Sequence, residues 1–141
     1  MEKVAWDDRF KIGVEIVDRA HAKLFRIVNK LSDISQDAST NQAAYVEGIK
    51  YLEAYSMTHF SEEEAYMRSV RYNGYAEHKR IHDNFRNKTL ISLKRDLELS
   101  GYSVPAVQRF VGIMNNWLSE HIMLEDQAIV GRVVARKGMD L

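Results

Sequence analysis

Residues 18–34 read Asp-Arg-Ala-His-Ala-Lys-Leu-Phe-Arg-Ile-Val-Asn-Lys-Leu-Ser-Asp-Ile. Leu24, Ile27, Val28, Leu31 and Ile34 recur at steps of three and four. That spacing lines one face of an α-helix and does not fit the alternation of a strand. Asp18 stands where an N-cap is expected. One member of the stripe is polar: His21 precedes Leu24 by three residues and Val28 by seven.

Reading outward, the polar run Ser35-Gln36-Asp37-Ala38-Ser39-Thr40 interrupts the pattern. Thr40 or Asn41 is suited to cap a second helix to about residue 68, with Tyr45, Ile49 and Leu52 on its stripe. Asn73-Gly74 marks a turn, and a third helix is expected over about 75–99, with Phe85 and Leu97 inward and Gly101 ending it. Ser103 caps a fourth, over about 103–123. Pro105 lies in its first turn, where the missing N–H costs nothing, and Phe110, Met114 and Trp117 form its stripe. Residues 1–17, with Trp6, Phe10, Ile12, Val14 and Ile16, read as an extended arm over the helices. Residues 125–136, with Ile129, Val130, Val133 and Val134, read as a short tail helix. Four helices of about 20 residues joined by short turns describe an all-α, up-down-up-down antiparallel four-helix bundle in one domain.

Composition narrows the chemistry. Of 141 residues 45% are hydrophobic, enough for a sizeable core, and 20 basic residues balance 20 acidic ones. A formal net charge of zero argues against nucleic acid or an anionic membrane as default partner. No cysteine is present, so disulfides, thiolate metal sites and cysteine nucleophiles are excluded. Any metal must be held by His, Asp, Glu or backbone oxygen. No apolar run approaches the roughly 18–20 residues that span a bilayer, and Met1–Trp6 has no apolar h-region, so a cytoplasmic protein is expected.

The five histidines all fall on the stripes. His59 follows Leu52 by seven and Glu63 follows His59 by four. His78 and His82 are four apart and lead to Phe85; His121 follows Trp117 by four and Met114 by seven. A lone inward histidine is usually a hydrogen-bonded core residue, and Glu62-Glu63-Glu64 alone would read as a solvated face. Together they read differently, because each helix aims a nitrogen donor inward and no histidine is left over. An inward Glu63 needs a strong partner, which a metal ion supplies. His21 and His78/His82 lie early in their helices and His59 and His121 late, so antiparallel packing brings all five to one end.

These residues resemble the hemerythrin family, in particular single-domain bacteriohemerythrins, over nearly the whole chain. The matching pieces are Trp6 with Gly13-Val14, Asp18-Arg-Ala-His21-Ala-Lys-Leu24-Phe25, His59-Phe60-Ser-Glu62-Glu63 with Met67, Gly74-Tyr75, His78-x-x-x-His82, and Trp117-Leu118-x-x-His121-Ile122-x-x-x-Asp126. Ala76 stands where the family often has proline, and Ile129 where an aromatic is common. The resemblance implies two Fe ions with an oxo or hydroxo bridge. His78, His82 and His121 would hold one, His21 and His59 the other, and Glu63 and Asp126 would bridge. Asp126 comes from the resemblance alone: five residues after His121 is about 140° around an ideal helix. Either the helix ends there or a π-type bulge intervenes.

Five imidazoles and two bridging carboxylates make nine bonds and a hydroxide bridge two more, one short of the twelve that two octahedral ions take. The open position falls on the iron with two histidines. The implied function is reversible O₂ binding, as peroxide at that five-coordinate iron, for storage, delivery to an O₂-consuming oxidase, or buffering. Leu24, Trp117, Leu118 and Ile122 are expected to form an apolar O₂ pocket. An enzyme acting on NO or peroxide, or an O₂ or redox sensor, are the alternatives. No nucleophile constellation and no spare inward acid or base is visible, which counts against hydrolysis.

Overall fold

The computed structural model describes residue 6, residues 8–35 and residues 42–131. Helix α1 spans Glu15–Ser35 and α2 spans Gln42–Ser69. A third rod is made of α3, Tyr75–Asn84, a π-helical turn, Phe85–Thr89, and α4, Leu90–Leu99. A fourth is made of α5, Val104–His121, a second π turn, Ile122–Asp126, and the short α6, Gln127–Ile129. The first rod packs on the second and fourth, the second on the third, and the third on the fourth. That is the square of neighbours of an up-down-up-down bundle. Among the described residues there is no strand, and no helix is long and apolar enough to cross a membrane.

The stripes become the core. Leu24, Val28 and Leu31 from α1, Tyr45, Ile49 and Leu52 from α2, Phe85 and Leu97 from the third rod, and Phe110 and Met114 from α5 are all buried. Each such large side chain contributes roughly 1.5–3 kcal/mol by leaving water. The π turn at Phe85–Thr89 was not foreseen, and it has a packing reason. His78, His82 and Phe85 follow helical spacing, but the next inward residues are Leu90 and Leu97. The backbone N–H of Leu90 donates to the carbonyl of Phe85, five residues back, and the extra residue keeps both on the core face.

The ends of the helices bear on the site. Ser103 caps α5, its hydroxyl accepting from the N–H of Ala106 at 3.3 Å, with Pro105 in the first turn. Gly101 takes φ 65° at the close of the third rod. At Asn73-Gly74 the left-handed residue is Arg71 (φ 54°), and the outer end of the Tyr72 ring lies over Gly74, 2.6 Å from where a Cβ would stand. The Gly74 carbonyl then accepts from the N–H of His78 and starts the helix that carries two histidines.

Asp18 does not cap α1. The helix starts three residues earlier, and the Asp18 carboxylate reaches back to accept from the backbone N–H of Ile12 at 2.8 Å and Gly13 at 3.1 Å. A short side chain that binds two upstream N–H groups ties the arm to the helix. The described part of the arm is not fully extended: Asp8–Phe10 is a 3₁₀ turn and Gly13 has φ 86°. Residues 1–5 of the arm, the suggested caps Thr40 and Asn41, and Val133 and Val134 of the expected tail lie outside the described residues. The described part of that tail continues the fourth rod as far as Ile129.

Candidate metal centre

His21 sits in the second turn of α1, His59 and Glu63 near the end of α2, His78 and His82 in α3, and His121 at the last residue of α5. Antiparallel packing sets all of them at one level, and every one is buried. Asp126 joins them through the second π turn. In that turn the N–H of Gln127 donates to the carbonyl of Ile122, five residues back. The wider turn swings position 126 onto the face of His121, where an ideal helix would carry it about 140° away. Asp126 is fully buried.

The seven side chains converge on two overlapping clusters. Glu63, His78, His82, His121 and Asp126 form one; His21, His59, Glu63 and Asp126 form the other. In the first, the Nε2 of His121 lies 3.1 Å from the Nε2 of His78 and 3.1 Å from that of His82. In the second, the Nε2 atoms of His21 and His59 are 3.0 Å apart. Both carboxylates split between the two. Glu63 Oε1 is 2.8 Å from His78 Nε2 and 3.3 Å from His82 Nε2, while Oε2 is 3.4 Å from both His21 and His59. Asp126 Oδ1 is 3.0 Å from His78 and 3.2 Å from His121, while Oδ2 is 3.0 Å from His21.

The donor set fits a pair of metal ions. Two donors at about 2.1 Å from one ion and at right angles lie about 3.0 Å apart, the spacing within each cluster. Both oxygens of Glu63 and both of Asp126 are buried, yet none accepts a properly directed hydrogen bond among the described residues. The imidazole nitrogens lie close to these oxygens without making directed hydrogen bonds to them. Four orphaned oxygens in a dry core would be costly without a cation between them. Imidazole with carboxylate suits iron, and the lack of thiolate disfavours softer ions.

The charge balance without metal points the same way. Burial pushes His21 down, but the carboxylates of Asp126 and Glu63 beside it raise it to about 9. Burial likewise opposes His121, and Asp126 and Glu63 raise it to about 10; His78 is raised by the same pair. Burial and the neighbouring His21 hold His59 below its ordinary value. Burial works against ionisation of Glu63 and Asp126, yet the surrounding histidines hold Glu63 well below the usual carboxylate range and lower Asp126 too. The two acids thus stay ionised and draw positive charge into the core.

The surroundings divide between the two clusters. Trp117 flanks His121, its ring stacked at 4.6 Å and 10°, and also meets Phe85 at 4.2 Å and Phe60 at 5.7 Å. It therefore lies beside the three-histidine cluster. Beside the pair, Trp6 of the arm approaches His21 at 6.2 Å and Phe25 at 6.0 Å. Leu24, Leu118 and Ile122 are buried in the core cluster. Three positions escaped sequence reasoning. Glu64 is buried and accepts from Nδ1 of His82 at 2.7 Å, and Arg86 holds it at 2.9 Å. Gln127, next to Asp126, donates to the backbone carbonyls of Arg9 and Lys11, both at 3.1 Å. Glu64 had a legible signal: it lies four residues after Phe60 and three before Met67, on a buried edge of α2.

Comparison with known proteins agrees with this geometry. The profile described as the hemerythrin HHE cation binding domain matches residues 12–133. The chain belongs to the hemerythrin family. A bacteriohemerythrin of Clostridium acetobutylicum is 30% identical over 129 residues, covering 89% of this chain and 97% of that one. The bacteriohemerythrin of Pseudomonas aeruginosa is 29% identical over 133 residues, covering 94% and 83%. The myohemerythrin of Sipunculus nudus is 30% identical over 128 residues, covering 91% and 92%. The cofactor of the hemerythrin family is a di-iron centre, and the two clusters here are able to hold one.

Proposed function

We propose that the chain binds O₂ reversibly at a di-iron centre, for storage, delivery to an O₂-consuming oxidase, or buffering. His78, His82 and His121 would hold one iron and His21 and His59 the other, with Glu63 and Asp126 shared between the two positions. The observation that carries this reading is the division of each carboxylate between the two clusters, three histidines against two. When bound, the iron pair would supply the electrons and the Lewis-acid site that O₂ binding needs. The protein's own residues hold the donors in place, and Leu24, Leu118 and Ile122 keep bulk water from the core. Membership of the hemerythrin family, whose proteins generally carry O₂, supports a carrier over an enzyme.

Reduction of the iron-loaded protein followed by air tests this. A visible charge-transfer band that appears with O₂ and vanishes under vacuum is the expected result. Bleaching to the oxidised form with no stable adduct would favour turnover of NO or peroxide instead. A His59→Ala protein that forms the same adduct at the same affinity would refute the two-histidine assignment.

A further inference from the structure

Among the five histidines, four have a buried Nδ1 with no hydrogen-bond partner among the described residues: His21, His59, His78 and His121. His82 differs. Its Nδ1 meets Glu64 Oε2 at 2.7 Å, with both side chains buried. Glu64 is itself held by Arg86 at 2.9 Å, and Arg86 also pairs with Asp83, which in turn pairs with Lys79 at 2.8 Å. The guanidinium lies 5.4 Å from the Phe60 ring centroid, and that ring stacks on His82 at 4.3 Å and 22°. His82 is thus gripped on one face by an aromatic ring and at its outer nitrogen by an oriented acid. α2 and the third rod both contribute.

We propose that Glu64, braced by Arg86, is a positioning residue that sets the donor strength of His82 and biases the two metal positions apart. The inference rests on the two-metal reading above. An imidazole that donates its outer N–H to a carboxylate is fixed in one tautomer, with the Nε2 lone pair aimed at the metal, and is a stronger base toward it. Among the described residues the other four rings have no such partner, so the three-histidine position contains the one charge-assisted ligand seen among them. That position binds a divalent ion more tightly than the two-histidine position by more than its extra nitrogen alone would give. It also favours the higher oxidation state of the ion it holds. The geometry requires the acid to be Glu64 rather than Glu62 or Glu63: Glu62 is exposed, and Glu63 is turned to the interior between the clusters.

Titration of the metal-free protein with Zn²⁺ against a chromophoric chelator reads the first consequence. The midpoint potential of the iron-loaded protein reads the second. The intact chain takes up two equivalents, and Glu64→Ala weakens one of them by about 10- to 100-fold while leaving the other unchanged. Glu64→Gln keeps an oxygen acceptor for His82 but removes its charge. It restores most of the lost affinity and raises the potential above that of the intact chain, a change that simple loss of packing would not produce together with rescued binding. If the intact chain takes up fewer than two equivalents, the two-metal reading fails and this inference with it. If it takes up two and Glu64→Ala binds both as before, or Glu64→Gln leaves the potential where it was, the role of Glu64 alone is overturned.

Discussion

The two ends of the bundle solve opposite problems. One end is filled by Leu31, Ile49, Leu97, Val107 and Phe110, apolar side chains that gain free energy by leaving water. The other holds five histidines and two ionised acids in the same dry interior. Taking those groups out of water costs several kcal/mol for each charge unless it is paired. The helices run the length of both, so the apolar end can hold the rods in register for the polar end. Stability and function thus lie at different levels of one core, and substitutions should separate them.

The largest effect is expected at Glu63. Its oxygens divide between the clusters, so Glu63→Ala removes a donor from both metal positions at once and leaves the histidines facing a lone Asp126. Neither ion should be retained after gel filtration, while the far-UV circular dichroism stays helical. Retention of both ions, measured by metal analysis, would break the assignment of Glu63 as a bridge. At the other end Phe110→Ala should do the reverse. Truncating a buried phenylalanine costs about 3–5 kcal/mol of unfolding free energy, read by urea denaturation of the loaded protein. Metal content of the folded fraction should not change. Loss of metal from a protein still fully folded would show that the two ends are not separable.

Most of this division is visible in the amino-acid pattern, and the exceptions share a cause. Apolar and histidine positions both follow the 3.6-residue period, so Leu24, Ile49, His59 and His78 could all be placed from spacing. Asp126 could not, because the π turn at Ile122–Asp126 changes the period from about 3.6 residues to a wider turn at that one place. The same change at Phe85–Thr89 lies behind the inward Leu90. Glu64 and Arg86 were hidden for another reason. Charged residues in helices are normally solvated, and only the pairing across two rods, which the period of one helix does not encode, makes their burial tolerable. Spacing puts Trp117 on the inward stripe of its helix, and the ring it stacks on, His121, lies one turn further along that stripe.

A pH series sharpens the contrast with a smaller effect. In the metal-free protein His21 and His121 carry pKa values of about 9 and about 10, raised by the neighbouring acids against the opposing pull of burial. In the unfolded chain a histidine titrates near 6.5, so the folded state binds protons more tightly. The stabilisation this provides is complete below about pH 6.5 and is lost as pH rises through about 9 to 10. Glu63 and Asp126, lowered in the folded protein, stay ionised throughout that window and lose their contribution only in acid. The Tm of metal-free protein should therefore fall steadily from pH 7 to 10. With metal in place of the protons the Tm should hold nearly level, so the gap between loaded and metal-free protein widens. A flat metal-free profile would mean that the histidines do not share protons with the acids.

The smallest effect tests whether the arm belongs to the metal end or merely covers it. Gln127 follows Asp126 directly, and its amide donates to the carbonyls of Arg9 and Lys11, so one residue joins the π turn to the arm that carries Trp6 and Phe10. Gln127→Ala removes these two hydrogen bonds, a cost of about 1–3 kcal/mol. If the arm only shields the core, that loss appears as lower stability and altered Trp6 fluorescence, with both metal positions unchanged. If the arm also steadies Asp126, the bond lost 118 residues away in sequence is felt at the bridge. The metal at the two-histidine position should then exchange faster than the metal at the three-histidine position. The second outcome is expected, because His21 depends on both: Asp126 Oδ2 lies 3.0 Å from its Nε2 and Trp6 flanks its ring. Exchange of a metal isotope at equal rates in Gln127→Ala and the intact chain would confine the arm to packing and leave the bridge to the π turn alone.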